Sequence, residues 1–500
     1  MKQSVIIVGG GIGGLTAGAL LIKAGYEVTI LEASREWGGC AGKFQRGDFR
    51  FPVGATLGMG FEKGGIHERI CRFLGIEIMT KRLDEVMIVH TPTRSISFQS
   101  DRQQHVQELQ RLFPHVKEKI AAFYEDVRGI AKKIRALMEH LPILPPSTFR
   151  EWRRLVQSLS PSSLALLPLF SQTLKDLLNK HGLLEEVDFV HFLDGQIIDS
   201  MQTTSDDCSL LLGCMAIDIY HEGAFYVEGG LYQLAEKLVS YSKEHGGTLY
   251  LGRKVTQIEQ GSVWKVTDHR GRVYEAEHVV CNVPIQNLTQ LFSAEEMKKM
   301  PPKIQHRQDT RQWGAFTLYL ALKEDVIPDD MPLFQQVITS SEGEMTNGEH
   351  LFLSLSDKED RNRAPTGYRT LTVSTHIPLD DWKNPATYDE QKKQLNEKMK
   401  RGIRTVIPRL EEGVIHEIPG APRAWERFVQ RSGVGGFPQT NEYALFQAIS
   451  HRTKLDGLWL CGDTVFPGAG TIGVSVSGYH VYESISKRLD LLKRGMWRSK

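Results

Sequence analysis

The stretch Ser4-Val5-Ile6-Ile7-Val8-Gly9-Gly10-Gly11-Ile12-Gly13-Gly14-Leu15 decides the fold. Val5 to Val8 form a short, continuous apolar run, the pattern of a parallel strand buried on both faces. Gly9 to Gly14 read as a turn. Ile12, Leu15, Ala19 and Ile22 then recur at helical spacing and give one apolar face. Gly25 stops the helix, and Glu27–Leu31 reads as a second strand. Strand, turn, helix and strand within about 30 residues make a βαβ unit.

Within the turn, Gly9, Gly11 and Gly14 match G-x-G-x-x-G. The first permits the tight turn, the second lets main chain approach a pyrophosphate, and the third lets helix and strand pack closely. The N–H groups at the helix start face the phosphates with a partial positive charge. Glu32 ends the second strand at the offset of about 20 residues where a carboxylate accepts the hydroxyls of an adenosine ribose. It would repel a 2′-phosphate, which disfavours NADP. Trp37-Gly38-Gly39-Cys40 follows closely. A second glycine pair, Gly38 and Gly39, just past the ribose carboxylate is typical of flavoproteins and absent from simple NAD dehydrogenases.

The other end of the chain carries a second glycine-rich segment. Leu458-Trp459-Leu460-Cys461-Gly462-Asp463 precedes Phe466-Pro467-Gly468-Ala469-Gly470-Thr471-Ile472-Gly473. A strand ending in Gly462-Asp463 can set the carboxylate on a ribityl or phosphate-side hydroxyl. The glycines up to Gly473 let main chain lie against a flavin ring, and the start of the last helix would stabilise negative charge at the flavin N1–O2 edge. Gly468, Gly470 and Gly473 repeat the dinucleotide spacing, but no βαβ unit surrounds them. The expected cofactor is therefore FAD, with no separate NAD site and with oxygen or a quinone as electron acceptor.

Between these ends the chain divides into five expected segments. Residues 1–100 form the first part of the FAD-binding domain. Residues 101–210 are a helical, substrate- or membrane-facing insertion, broken at Pro142, Pro145 and Pro146. Residues 211–300 form the second FAD-binding part, with an amphipathic helix on Leu231, Leu234, Ala235, Leu238 and Val239 and short strands near 248–251, 263–267, 273–276 and 279–282. Residues 301–425 hold β-branched or alternating runs at 315–321, 351–355 and 370–375, which suggest a second sheet. Residues 426–500 form the third FAD-binding part. The fold class is α/β: a Rossmann-like FAD-binding domain of discontinuous segments with an α+β substrate domain.

Over 500 residues, 61 Lys and Arg balance 60 Asp and Glu. This argues against nucleic acid, which usually requires a basic excess. The six cysteines form no C-x-x-C pair and no His cluster has zinc spacing, so reduced, mostly buried thiols and no metal are expected. No run reaches the roughly 18–20 apolar residues of a spanning helix. The expected location is cytoplasmic, extended to peripheral contact with the inner membrane face. Trp152 to Phe170, with Arg150, Arg153 and Arg154, is the candidate for that contact.

At these residues the chain resembles the carotenoid desaturase–isomerase family of flavoproteins. The resemblance rests on residues 5–60, 226–284 and 458–484, and on Ala364-Pro365, Gly367 and Ser374-Thr375-His376. Gly38-Gly39-Cys40-Ala41-Gly42 with Val53-Gly54, and Phe466-Pro467-Gly468 with Ser477-Gly478, are most similar to the isomerase branch and its desaturase neighbours. It departs from the family at Pro52, where an Asp is frequent, and at Arg35, one position early for a frequent Arg. The resemblance implies an amine-oxidase/phytoene-desaturase architecture, FAD, and long isoprenoid polyenes drawn from a membrane. It places FAD contacts at Gly9, Gly11, Gly14, Glu32, Gly38, Gly39, Gly462 and Asp463, and it alone places Val255 at the adenine.

The expected reaction is desaturation, in which flavin N5 takes a hydride and the second hydrogen leaves as a proton. Such a substrate needs a long apolar tunnel more than polar machinery, and no nucleophile–base pair stands out. Alternatives are redox-neutral cis–trans isomerisation with reduced FAD, oxidation of a terminal methyl group, an amine-oxidase-like reaction, and a non-enzymatic prenyl-binding escort. Cys40 stands where amine oxidases usually have Arg. His376 is a possible proton acceptor, as are His221 and Glu222, although most single histidines are structural.

Overall fold

The computed structural model describes residues 3–307, 310, 313–340 and 344–492. Its centre is a five-stranded parallel sheet in the order Leu458–Leu460, His278–Cys281, Ser4–Val8, Glu27–Leu31, Thr248–Tyr250. The strands come from the start, middle and end of the chain, so one domain is assembled from distant pieces. Successive residues of the central strand face opposite cores. Val5 and Ile7 pack among the helices, while Ile6 and Val8 pack toward a three-stranded antiparallel sheet of Val255–Gln260, Trp264–Asp268 and Val273–Ala276. Because the strand is covered on both sides, its sequence is continuously apolar.

Helix Ile12–Lys23 follows the glycine turn, and all its residues except Lys23 are buried. It is clamped by helix Gly470–Ser486 and flanked by helix Gln233–Glu244. A methyl group added at Gly478 would lie 2.3 Å from the Gly13 carbonyl oxygen, so the first and last helices cross with almost no side chain between them.

A second sheet has seven strands, in the order Val414–Gly420, Trp313–Lys323, Tyr368–Pro378, His350–Leu355, Phe334–Ile338, Glu85–His90, Ser95–Gln99. The runs at 315–321, 351–355 and 370–375 lie within it. Glu85–His90 and Ser95–Gln99 come from the first hundred residues yet pair here, through a parallel ladder with Phe334–Ile338. Helices Arg102–Leu112, Lys117–Met138, Val187–Met201 and Leu210–Glu222 enclose a further core that includes Phe98, Phe123, Phe189 and Phe192.

Phe149–Ser158 is an α-helix started by a capping box of Thr148 and Glu151. Pro161–Leu169 follows as a 3-10 helix, with Pro at its start and Pro168 within. Leu155 and Leu166 turn inward, whereas Phe149, Trp152, Val156, Leu164 and Leu167 are exposed. Among the described residues no helix is long and apolar enough to cross a membrane.

Candidate functional site

One continuous cavity of about 1330 Å³ runs between the two sheets. Gly9, Gly11, Glu32, Gly38, Gly39, Val255, Gly462, Asp463 and Gly473 all line it. Gly14 lies beneath, one helical turn in, where an added methyl would sit 2.4 Å from the Gly9 carbonyl oxygen. Gly9 has φ +104°, a left-handed conformation open to glycine. Gly38 donates its N–H to the Gly10 carbonyl at 2.8 Å, which draws the second glycine pair onto the first. An added methyl at Gly39 would lie 3.5 Å from Gly11 Cα. The cradle is therefore bare main chain.

The N- and C-terminal segments meet here. A methyl at Gly13 would fall 3.3 Å from the Gly462 nitrogen. Asn282, at the end of strand His278–Cys281, bridges them: its Nδ2 donates to Gly9 O at 3.1 Å and its Oδ1 accepts from Cys461 Sγ at 3.4 Å. Asn282 was not legible as a site residue, because its motif partners lie hundreds of positions away.

At one end, Glu32 is 7% exposed and takes N–H donors from Gly10 at 2.6 Å and Ser34 at 2.7 Å. Burial raises its pKa, and these backbone donors oppose the rise. A carboxylate has about four acceptor positions, so capacity remains for two ribose hydroxyls. Val255 lies nearby, after Arg253, whose N–H reaches the Glu32 carbonyl at 2.7 Å.

Toward the middle, helix Gly470–Ser486 points its N-terminus into the cavity at Thr471, Ile472 and Gly473. The first N–H groups of a helix lack intrahelical partners and carry partial positive charge. Beside them Asp463 is held by Arg431, Nη1 to Oδ2 at 2.8 Å. Burial works against the Arg431 charge, but Asp463 and Cys40 outweigh it and hold the pKa above its ordinary value. Arg431 Nη2 is buried with no hydrogen-bond partner. A signal for Arg431 did exist, in the neighbouring Arg431-Ser432-Gly433-Val434-Gly435-Gly436, where two glycines bring main chain against Asp463 and Gln202.

Beyond Arg431 the walls become apolar, with Leu212, Met215, Ile219, Phe352, Leu445 and Phe466 among them. Among them stands a polar cluster around Asp199. Asp199 Oδ2 accepts from Gln336 Nε2 at 3.1 Å, and His350 and His376 each stand 3.8 Å from the carboxylate. His376 Nε2 lies 3.2 Å from Gln202 Nε2. Burial pushes Asp199 up to about 7 and His376 down to about 4. His221 lies elsewhere, against Phe98 and bonded to Ser100 O at 3.0 Å, whereas Glu222 lines the cavity and is paired with Arg102 and Arg135.

These features fit FAD. Added Cβ atoms would collide within the glycine turns, a buried carboxylate keeps free acceptor positions at the adenosine end, and a helix N-terminus with an unsatisfied guanidinium nitrogen waits at the ring end.

The family model described as flavin containing amine oxidoreductase matches residues 12–481. Prolycopene isomerase of Daucus carota is 26% identical over 98% of this chain and 81% of its own. Carotenoid 3,4-desaturase of Haloarcula japonica is 24% identical over 97% of this chain and 98% of its own. Among solved structures, an oxidoreductase from Methanosarcina mazei superposes with a TM-score of 0.66 at 16% identity, over 96% of this chain and 100% of that one. This last likeness concerns the fold.

Proposed function

The chain belongs to the flavin-containing amine oxidoreductase family and is an FAD-dependent oxidoreductase, and from that premise we propose that its substrate is a long isoprenoid polyene of the carotenoid kind. The observation that carries this reading is the cavity of about 1330 Å³. Drug-sized ligands occupy pockets of roughly 300–1,000 Å³. This one holds a dinucleotide cradle at one end and still leaves an apolar chamber at the other. A polyene offers no hydrogen-bonding groups, so a chamber walled by Met215, Ile219, Phe352 and Leu445 binds it by area and shape. The names of the relatives, a carotenoid isomerase and a carotenoid desaturase, support the same substrate class.

Bound FAD would supply an acceptor for a hydride. The chain's own residues do the rest. The glycine turns hold the dinucleotide by main-chain N–H groups, and Glu32 accepts from the ribose. The N-terminus of helix Gly470–Ser486 supplies fixed positive potential at this end of the site, and Arg431 holds Asp463 in place beside it. The apolar chamber excludes water from the polyene. Desaturation is the leading reaction. Redox-neutral isomerisation is the second reading, favoured by the 26% identity to a prolycopene isomerase.

Expression in a host that makes several carotenoid precursors, followed by pigment analysis, tests the substrate class. New pigments are expected, and unchanged pigments beside a flavin-loaded protein would refute it. An anaerobic assay with reduced FAD then separates the reactions: isomerisation proceeds there, and desaturation stops.

The substrate reaches the chamber from a lipid surface. Phe149 is 86% exposed, and Leu164 and Leu167 are 61% and 62% exposed, next to Arg150 and Arg153. This segment directly follows Leu141 and Pro142 on the cavity wall. Apolar side chains beside arginines suit an anionic bilayer interface. Leu164→Glu/Leu167→Glu should abolish flotation with anionic liposomes, and undiminished flotation would rule this surface out. Leu166 is buried, so a charge there would test packing instead.

A further inference from the structure

Asp199 is a feature of the chamber that polyene binding leaves unexplained. It lies in the last turn of helix Val187–Met201, whose C-terminal carbonyls disfavour an additional negative charge. About a quarter of its side chain, 24%, is exposed, but that surface faces the cavity and not bulk solvent. Its one hydrogen bond comes from Gln336, so most of its acceptor capacity is unused.

Three other buried carboxylates in this protein are each paired with arginine, whereas Asp194, on the same helix as Asp199, is held by the Ser205 N–H and does not line the cavity. Asp218 holds Arg102 and Arg135, Glu483 holds Arg154, and Asp463 holds Arg431. Among the described residues no Lys or Arg pairs with Asp199. The titratable groups around it are His350 and His376 from the large sheet and Tyr220 from helix Leu210–Glu222, and all are neutral near pH 7: burial holds both histidines down, to about 3 and about 4, and pushes the phenol up. A carboxylate kept for stability would be expected to have a cation or several backbone donors.

Its position also matters. Asp199 is three residues from Gln202, which packs against Gly435 (an added methyl there would lie 2.2 Å from Gln202 Cδ). The next residue, Gly436, packs against the Asp463 main chain in the same way, at 2.1 Å. The polar cluster thus abuts the loop that carries Asp463, at the boundary between flavin cradle and apolar chamber.

We propose that Asp199 is a catalytic base that accepts the proton leaving the polyene. This rests on the reading of the substrate as a polyene. Removing a hydrogen pair breaks two C–H bonds and makes one C=C bond. One hydrogen leaves with both bonding electrons as hydride, for which the family's FAD is the oxidant. The other leaves as a proton to Asp199, and its bonding electrons become the new π bond. The base works best with a pKa near the operating pH, and burial gives Asp199 that value, about 7.

The test compares the flavin-loaded wild type with Asp199→Asn and reads more than turnover. Infrared difference spectra of the wild type should show a protonated carboxyl band that titrates with a midpoint near 7 and is missing in Asp199→Asn. Flavin content and polyene binding should be equal in the two proteins, while polyene conversion falls about 10²–10⁴-fold. Wild-type conversion should rise with pH and level off above about 7. A band titrating in the ordinary carboxylate range, or an Asp199→Asn protein converting polyene within tenfold of wild type, overturns the role of Asp199 alone. A flavin-loaded wild type that converts no polyene overturns the substrate reading and this proposal with it, whatever the infrared titration gives.

Discussion

The two ends of the cavity are built on opposite principles. The glycine-lined end is made by removing side chains: Gly9, Gly11, Gly13, Gly14 and Gly478 let main chain meet main chain, and its Arg431–Asp463 ion pair leaves one guanidinium nitrogen unsatisfied. The chamber beyond is walled by side chains, with apolar residues such as Met215, Ile219, Phe352 and Leu445 and, among the polar ones, Asp199 with its histidine neighbours. A cradle of main chain tolerates no added atom. A chamber of side chains tolerates exchange, but a lone carboxylate inside it works against stability. If this contrast is right, substitutions at the two ends should differ in size and even in sign.

The largest effect is expected in the cradle. Gly478→Ala forces a methyl to within 2.3 Å of the Gly13 carbonyl oxygen, and neither helix backbone can retreat. A loss of more than about 3 kcal/mol is expected, with loss of bound flavin. Thermal unfolding and flavin absorbance of the purified protein read this directly, and a stable yellow Gly478→Ala protein would break the contrast. Next is Asp463→Asn, which leaves Arg431 buried without its counter-charge. It should cost about 3–5 kcal/mol. Adding Arg431→Met should restore much of that, and denaturant titration of both variants completes the cycle.

At the other end the sign reverses. The folded-state pKa of Asp199 lies above its unfolded value, 3.8 rising to about 7. The folded protein therefore binds the extra proton, and stability falls as pH rises from about 4 through about 7. Asp199→Asn should stabilise the protein at pH 8, on the order of 1–3 kcal/mol, and leave stability nearly unchanged at pH 4. Unfolding curves at both pH values check this, and destabilisation at pH 8 would show that the carboxylate has a structural partner after all. The smallest effect on stability belongs to Leu164→Glu/Leu167→Glu, within about 0.5 kcal/mol because both side chains face outward. The same variant sharpens the comparison by reading only liposome association.

The same contrast explains what could be read in advance. Gly9, Gly11 and Gly14, Glu32, Gly38 and Gly39 lie within one βαβ opening, where spacing along the chain is also spacing in the structure. Gly462, Asp463 and Gly473 were legible for the same reason, as a strand end running into a helix. Each of these except Gly14 lines the cavity. Asn282 and Arg431 were missed because each works by touching something from another part of the chain: Asn282 joins Gly9 to Cys461, and Arg431 holds Asp463. His376 drew notice from the sequence, but its neighbour Asp199 did not. Asp199 has no distinctive local pattern, and the two come together only when helix Val187–Met201 packs against the large sheet.

By itself the sequence determined the parallel-sheet opening, the glycine turns and the flavin, because glycine turns, apolar strand runs and helix starts are short-range features governed by backbone sterics. Only the tertiary structure decided that strands from residues 85–99 join the large sheet, that Leu166 turns inward, and which side chains share the chamber. Those outcomes depend on which surfaces pack together over long separations. A charge acquires an unusual pKa from its surroundings, and its surroundings exist only once the chain has folded.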